Sequence, residues 1–240
     1  MKIDFYEEFP LEKNLDKLKL IKFKARIFIL AASYEEFKRF DAKIKGINPK
    51  IDVVYWPIVK NSYYVSPFSN PADLKNFFSK LGKIKESLLI DIELPLKRLM
   101  ILKNLFYMSK NKEIIRNFLE KNKERITVPQ IPFQFKIMRL IGLDYDIEYE
   151  KNPMFYTSMF PKFVVDSSKR SLRRIKNKKR YAIGLGTIAH GILGNERILP
   201  PKNLEKDLEF VREAGFNRVI IFRLGGLNKK YIEVINKFIR

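Results

Sequence analysis

Short apolar runs alternate with amphipathic stretches along almost the whole chain, and that rhythm predicts strands separated by helices. Ile3 to Glu7 reads as a first strand ended by Phe9-Pro10, Arg26 to Ala32 as a second, and Asp52 to Ile58 as a third. Ser87 to Leu94 is a fourth, stopped by Pro95. Ile126 to Ile131, interrupted by Pro129, and Pro153 to Met159 supply a fifth and a sixth. Tyr181 to Thr187 and Arg218 to Arg223 supply the last two.

The intervening segments carry helix signals. Leu11, Leu15, Leu18 and Ile21 recur at helical spacing, and Ser33 with Glu36 forms a capping box that opens a helix toward Gly46. Asn70-Pro71 places a cap before a proline at the first helical position. Pro95 to Asn122 reads as helix with a break near Lys110, and Phe133 to Ile141 as another. Leu204 to Ala214 is closed by Gly215, and a last helix follows Gly226. Eight strands leading into helices within 240 residues predict an α/β protein, a (β/α)8 TIM barrel in one domain over 1–240. An open doubly wound sheet would want a glycine-rich turn after a strand. Gly184-Leu185-Gly186 instead falls inside one, and no Gly-Lys-Ser/Thr phosphate loop occurs.

In such a barrel the chemistry lies at the carboxyl ends of the strands, and strand parity selects the candidates. Asp91 and Glu93 share one face of the fourth strand, with roughly 7 Å between their Cα atoms. Leu88, Ile90 and Ile92 take the opposite face, under the helices. Two carboxylates at the end of a buried strand are costly unless they open into a site. By the same parity Asp4, Tyr6 and Glu8 oppose Ile3 and Phe5, so Glu8 is the inward member of the Glu7-Glu8 pair. Arg223 shares a face with Val219 and Ile221 and is expected to end at the mouth.

Composition narrows the chemistry. Cysteine is absent and His190 is the only histidine, which excludes disulfides, thiolate catalysis and a multi-histidine metal site within one chain. No cofactor is indicated, and among metals only an ion held by carboxylates, such as Mg²⁺, stays open. The formal charge of +21 raises nucleic acid as a partner. Lysine is nevertheless spread over nearly every helical stretch, as in a composition biased toward high growth temperature. The densest basic segment, Lys169 to Arg180, carries eight basic residues and no acid, and its Leu172 and Ile175 suit a solvated outer helix. No apolar run is long enough to span a bilayer and the first residues lack a signal-peptide layout, so a cytoplasmic protein with no membrane association is expected. Oligomeric state is not encoded in any recognisable pattern.

Tyr6, Tyr55, Trp56, Tyr63, Tyr64 and Tyr156 all fall near the expected mouth, and flat aromatic faces with carboxylates suit sugar rings. The expected substrate contacts are Tyr6, Trp56, Gln130, His190, Glu196 and Arg223.

The fourth-strand motif resembles that of the chitinase-like glycoside hydrolases of family 18, whose barrel carries Asp-x-x-Asp-x-Asp-x-Glu there. Glu93 matches the terminal acid and Asp91 the aspartate beside it, whereas Leu89 and Glu86 stand where the family has its other aspartates. On strand six the family uses Met-x-Tyr-Asp, and Met154-Phe155-Tyr156-Thr157 keeps the methionine and tyrosine but not the acid. The family's glycine-rich strand-three signature is replaced by Tyr55-Trp56-Pro57-Ile58, and no tryptophan ends strand eight. The resemblance implies a substrate-assisted retaining route. Glu93 would protonate the glycosidic oxygen, while Asp91 and Tyr156 would steady an acetamido nucleophile. A second route pairs Glu93 with Glu8 as acid and nucleophile.

Two other readings stand beside it. A phosphosugar enzyme would use the glycine-bearing loops after strands seven and eight, with Gly191, Gly194, Gly225 and Gly226 around a phosphate and Arg223 as its counter-ion. A non-catalytic protein would take polyanions through Lys169 to Arg180.

Overall fold

The computed structural model describes residues 1–59, 63–95, 99–131 and 136–239. Its eight strands are β1 (Lys2–Glu7), β2 (Ala25–Ala31), β3 (Ile51–Pro57), β4 (Leu88–Leu89), β5 (Ile126–Gln130), β6 (Glu150–Pro153), β7 (Ile183–Gly186) and β8 (Arg218–Phe222). All neighbours pair in parallel, in the order β6-β5-β4-β3-β2-β1-β8-β7. Bridges between Lys151 and Tyr181 and between Met154 and Gly184 join the two edges, with Phe155 N–H donating to the Gly184 carbonyl at 2.8 Å. The fold is the expected α/β barrel, ringed by helices.

Alternation along the strands sorts the core into two layers. Ile3, Phe5, Ile27, Ile29, Val219 and Ile221 point outward and pack beneath the helices. Tyr6, Phe28, Val54, Trp56, Leu89, Ala182 and Ile220 fill the barrel interior. At the amino-terminal end the interior is stoppered by charge. Arg26 bonds Asp4 through Nε at 2.9 Å and Glu150 through Nη2 at 2.8 Å, and Arg218 also pairs with Glu150. Asp4 at the stopper, Tyr6 in the interior and Glu8 above it are successive rungs on the inner face of the first strand and its extension.

Several boundaries differ from the sequence expectation. The sixth strand is Glu150–Pro153 rather than 153–159. Its first residues are charged, and they tolerate a strand position because Glu150 meets Arg26 and Arg218, and Lys151 meets the Tyr145 carbonyl at 3.3 Å. The fourth ladder is only two residues long. Past it Val65, not β3, pairs with the strand extension, taking the Asp91 carbonyl at 2.9 Å and receiving the Glu93 N–H at 3.0 Å. β3 has already ended at Pro57, which has no N–H to offer. The long tract after β4 contains helices Leu99–Asn104 and Met108–Asn122, separated by a tighter turn at Leu105–Tyr107 rather than a break near Lys110. The helix expected over 133–141 is seen as Lys136–Leu140, its first residues lying outside the described set. The basic segment is not one helix. It spans the end of helix Lys162–Arg173 and a short turn at Lys178–Arg180, with Lys169 and Arg173 over the Phe210 ring.

Candidate active site

At the carboxyl ends of the strands a cavity of about 240 Å³ opens, and parity decides what lines it. β1 and its extension contribute Tyr6 and Glu8, β3 contributes Trp56, and the extension of β4 contributes Asp91 and Glu93. Tyr156 enters from beyond β6, and Glu196 from the loop after β7. Seven of the expected residues therefore converge on one hollow: Glu8, Asp91, Glu93, Tyr156, Tyr6, Trp56 and Glu196. Their positions are held by pairings of the surrounding backbone, above all the Val65 bridge that clamps the peptide groups on either side of Ile92.

The electrostatics follow from enclosure. Asp91 is 7% exposed, and its Oδ1 has no hydrogen-bond partner. Burial raises its affinity for a proton well above that of an ordinary aspartate, and the nearby Glu93 and Glu8 add to this. Burial, with Glu8 second, pushes Glu93 up to about 7. Glu8 is raised by burial too, although the Tyr63 hydroxyl donates to its Oε1 and holds it down in part. The Tyr156 hydroxyl is pushed upward by burial and then by Asp91, Glu93 and Glu8, so it stays protonated. Glu8, Asp91 and Glu93 thus each hold a proton more tightly than an ordinary carboxylate in water.

The aromatic floor is continuous. The Tyr6 ring lies 5.6 Å from Trp56, edge-on, and 6.2 Å from Phe222, while Tyr156 lies 6.0 Å from Phe222. The Tyr6 hydroxyl is fixed by Asn152 Oδ1 at 2.6 Å, whose own amide donates to the Ala182 carbonyl at 2.6 Å. Gly191 sits against the wall. A Cβ there would come within 2.8 Å of Glu196 Oε1, 2.9 Å of Phe222 and 3.0 Å of Glu8 Oε2.

Other expected residues lie elsewhere. The Gln130 amide donates to Asp144 at 2.7 Å and borders a neighbouring hollow shared with Glu93. His190 projects outward, its Nδ1 3.9 Å from Glu196 Oε2. Arg223 does not face the cavity. Its parity partners Val219 and Ile221 are on the outer face, and its guanidinium takes Glu7 at 2.7 Å and the His190 carbonyl at 2.7 Å. The Gly225 N–H also goes to Glu7, at 2.6 Å, so two of the groups expected around a phosphate, Gly225 and Arg223, serve an internal carboxylate. Gly226 packs on the Ile188 carbonyl and Gly194 lies in the open. Tyr55 belongs to the outer layer, stacked on Phe37 at 4.8 Å. Glu86 accepts from the Tyr34 hydroxyl, and Leu89 is interior packing. Thr157 donates to Asp207.

Phe160, Thr187 and Phe222 also line the cavity and carry no sequence signal of a site, while Tyr64 and Met154, marked in the sequence only as a mouth aromatic and a motif methionine, line it too. Asn152 lies in β6, just before the residues at which hydropathy alone predicts the sixth strand to begin. Among the described residues no group of three or more Asp, Glu or His side chains is placed to hold a metal ion, and no helix is long and apolar enough to cross a membrane.

No protein-family model and no curated relative matches the sequence. Solved structures do match. The spore cortex-lytic enzyme SleL of Bacillus cereus superposes with a TM-score of 0.66 at 8% identity, over 100% of this chain and 74% of that one. The glycoside hydrolase domain of PgaB (BpsB) from Bordetella bronchiseptica gives 0.59 at 12% identity, over 99% and 97%. A class V chitinase from Nicotiana tobaccum gives 0.56 at 10% identity, over 99% of each. At these identities the likeness is one of fold: the chain has the barrel of chitinase-like glycoside hydrolases.

Proposed function

We propose that this barrel binds a glycan at its mouth and cleaves a glycosidic bond, with Glu93 as the proton donor. The supporting observation is the convergence of Glu8, Asp91 and Glu93 on one aromatic-lined cavity, with Glu93 pushed up to about 7. A carboxyl group with that proton affinity can be protonated before the reaction and still release its proton to a departing oxygen. Trp56 and Tyr6 supply flat faces for the C–H surfaces of a sugar. Asp91 and Tyr156 flank the acid and suit a substrate acetamido group that attacks from within the sugar. Glu8 stands ready as nucleophile in the other route. The fold shared with chitinase-like hydrolases agrees with either.

The test is an oligosaccharide panel with and without N-acetyl groups, following new reducing ends and the anomer first released. Cleavage lost in Glu93→Gln, with binding retained, supports the acid role. A requirement for the N-acetyl group selects the substrate-assisted route, and indifference to it selects Glu8. If no glycan is bound or cut, the proposal fails.

A further inference from the structure

Among the described residues, every exposed large hydrophobic side chain lies in a segment that leaves the carboxyl end of a strand, on the mouth side of the barrel. Leu102, Leu105 and Phe106 follow β4, Leu140 follows β5, Phe163 follows β6 and Leu193 follows β7. The exposure is large: 93% for Phe106, 74% for Phe163 and 72% for Leu102. Helices Tyr34–Ile47, Pro71–Leu81 and Pro201–Glu213 show no such side chain on their outer faces. Isolated exposed leucines are ordinary, but their confinement to one end of a barrel marks a contact surface.

Beside these apolar side chains the exposed charge is mainly cationic, although Glu12, next to Leu11, is an exposed acid. Lys13, Lys103, Lys110, Lys162 and Arg197 are exposed there, and none pairs with an acid among the described residues. From Leu99 to Lys112 the chain has three lysines and no acid. Of the acids at this end, Glu8, Asp91 and Glu196 are buried in the cavity, Asp144 is engaged by Arg139 at 3.0 Å and Glu12 by Lys43 at 3.1 Å, while Glu35 is exposed. Bulky apolar groups interleaved with unpaired cations are what an amphipathic segment presents to a lipid interface. The apolar groups enter among the acyl chains, and the lysines reach the phosphates.

Against the expectation of no membrane association read from the sequence, we propose that the mouth of this barrel docks on the surface of an anionic lipid bilayer, with Leu102, Leu105 and Phe106 entering the headgroup region. Docking in this orientation holds the cavity against the membrane surface, within reach of molecules anchored there. The inference does not depend on the sugar chemistry, because it rests on side chains outside the cavity.

Vesicle co-sedimentation of the full chain tests it, with phosphatidylcholine alone and with phosphatidylcholine containing phosphatidylglycerol. Binding is expected to the anionic vesicles and to weaken with salt. Leu102→Ser with Phe106→Ser should lower the bound fraction about tenfold, and Lys103→Gln with Lys110→Gln should lower it on anionic vesicles only. Circular dichroism confirms that each variant is folded. The proposal is overturned if the wild type stays in the supernatant with both vesicles. It is equally overturned if both vesicles bind alike and the lysine changes are silent. Self-association in solution that disappears in the Leu102/Phe106 variant, without vesicle binding, would assign the surface to a second copy of the chain instead.

Discussion

Glu7 and Glu8 are consecutive in the chain and serve opposite sides of the barrel wall. Glu8 lines the cavity and accepts from Tyr63, while Glu7, fully buried, accepts from Arg223 at 2.7 Å and from the Gly225 N–H at 2.6 Å. The Glu7–Arg223 pair ties β1 to the end of β8, and the Arg223 bond to the His190 carbonyl extends the tie to the loop after β7.

That arrangement makes Arg223 a positioning residue. Arg223→Ala leaves the Glu7 carboxylate buried without its cation, and a loss of about 3–5 kcal/mol is expected in chemical denaturation. The double variant Glu7→Gln/Arg223→Met should recover much of it, because no charge is then stranded. Equal losses in both would mean that Arg223 contributes through packing on Phe9 alone, whose ring it covers at 4.7 Å.

Stability should depend on pH through the cavity acids. The folded protein holds the Glu93 proton up to about pH 7, whereas the ordinary value is 4.5, so the folded state binds that proton more tightly than the unfolded chain. Its contribution is complete below about pH 4.5 and is lost as pH rises to about 7. Asp91 and Glu8 are shifted in the same direction. Melting temperatures of Glu93→Gln across this window should show a shallower fall than the wild type. Turnover, under the proposed chemistry, should decline on the alkaline side of the same value.

Gly191 is a steric gauge of the cavity wall. Gly191→Ala inserts a methyl group between Glu196, Phe222 and Glu8, and overpacking of this kind costs about 1–3 kcal/mol. The expected result is weakened glycan binding with a modest drop in melting temperature. Unchanged binding by calorimetry would show that the carboxylates yield freely and that their placement is not exacting.

The lining carries Glu8, Asp91, Glu93 and Glu196 but no lysine or arginine among the described residues, in a chain of formal charge +21. Neutral oligosaccharides should therefore bind more tightly than their uronate-bearing counterparts, with the gap narrowing as pH falls and the acids protonate. Tighter binding of the anionic sugars in a competition assay would contradict the acidic character of the site.

Local pattern determined much of this protein. The period of two along a strand put Asp91 with Glu93, and Tyr6 with Glu8, on inner faces, and the recurrence of apolar runs set the eightfold succession of the barrel. These properties are short-ranged and survive in any context that buries one strand face. Long-range pairing decided the remainder. Glu150 and Lys151 could form a strand only because Arg26, Arg218 and the Tyr145 carbonyl, remote in sequence or supplied by the loop, balance their charges. Val65 entered the sheet beside Ile92 where Pro57 had ended β3, and Arg223 went to Glu7 rather than the mouth because parity turned it outward. Hydropathy along a chain cannot tell a leucine beneath a helix from one in solvent, so the apolar rim around the mouth emerged only from the packed molecule.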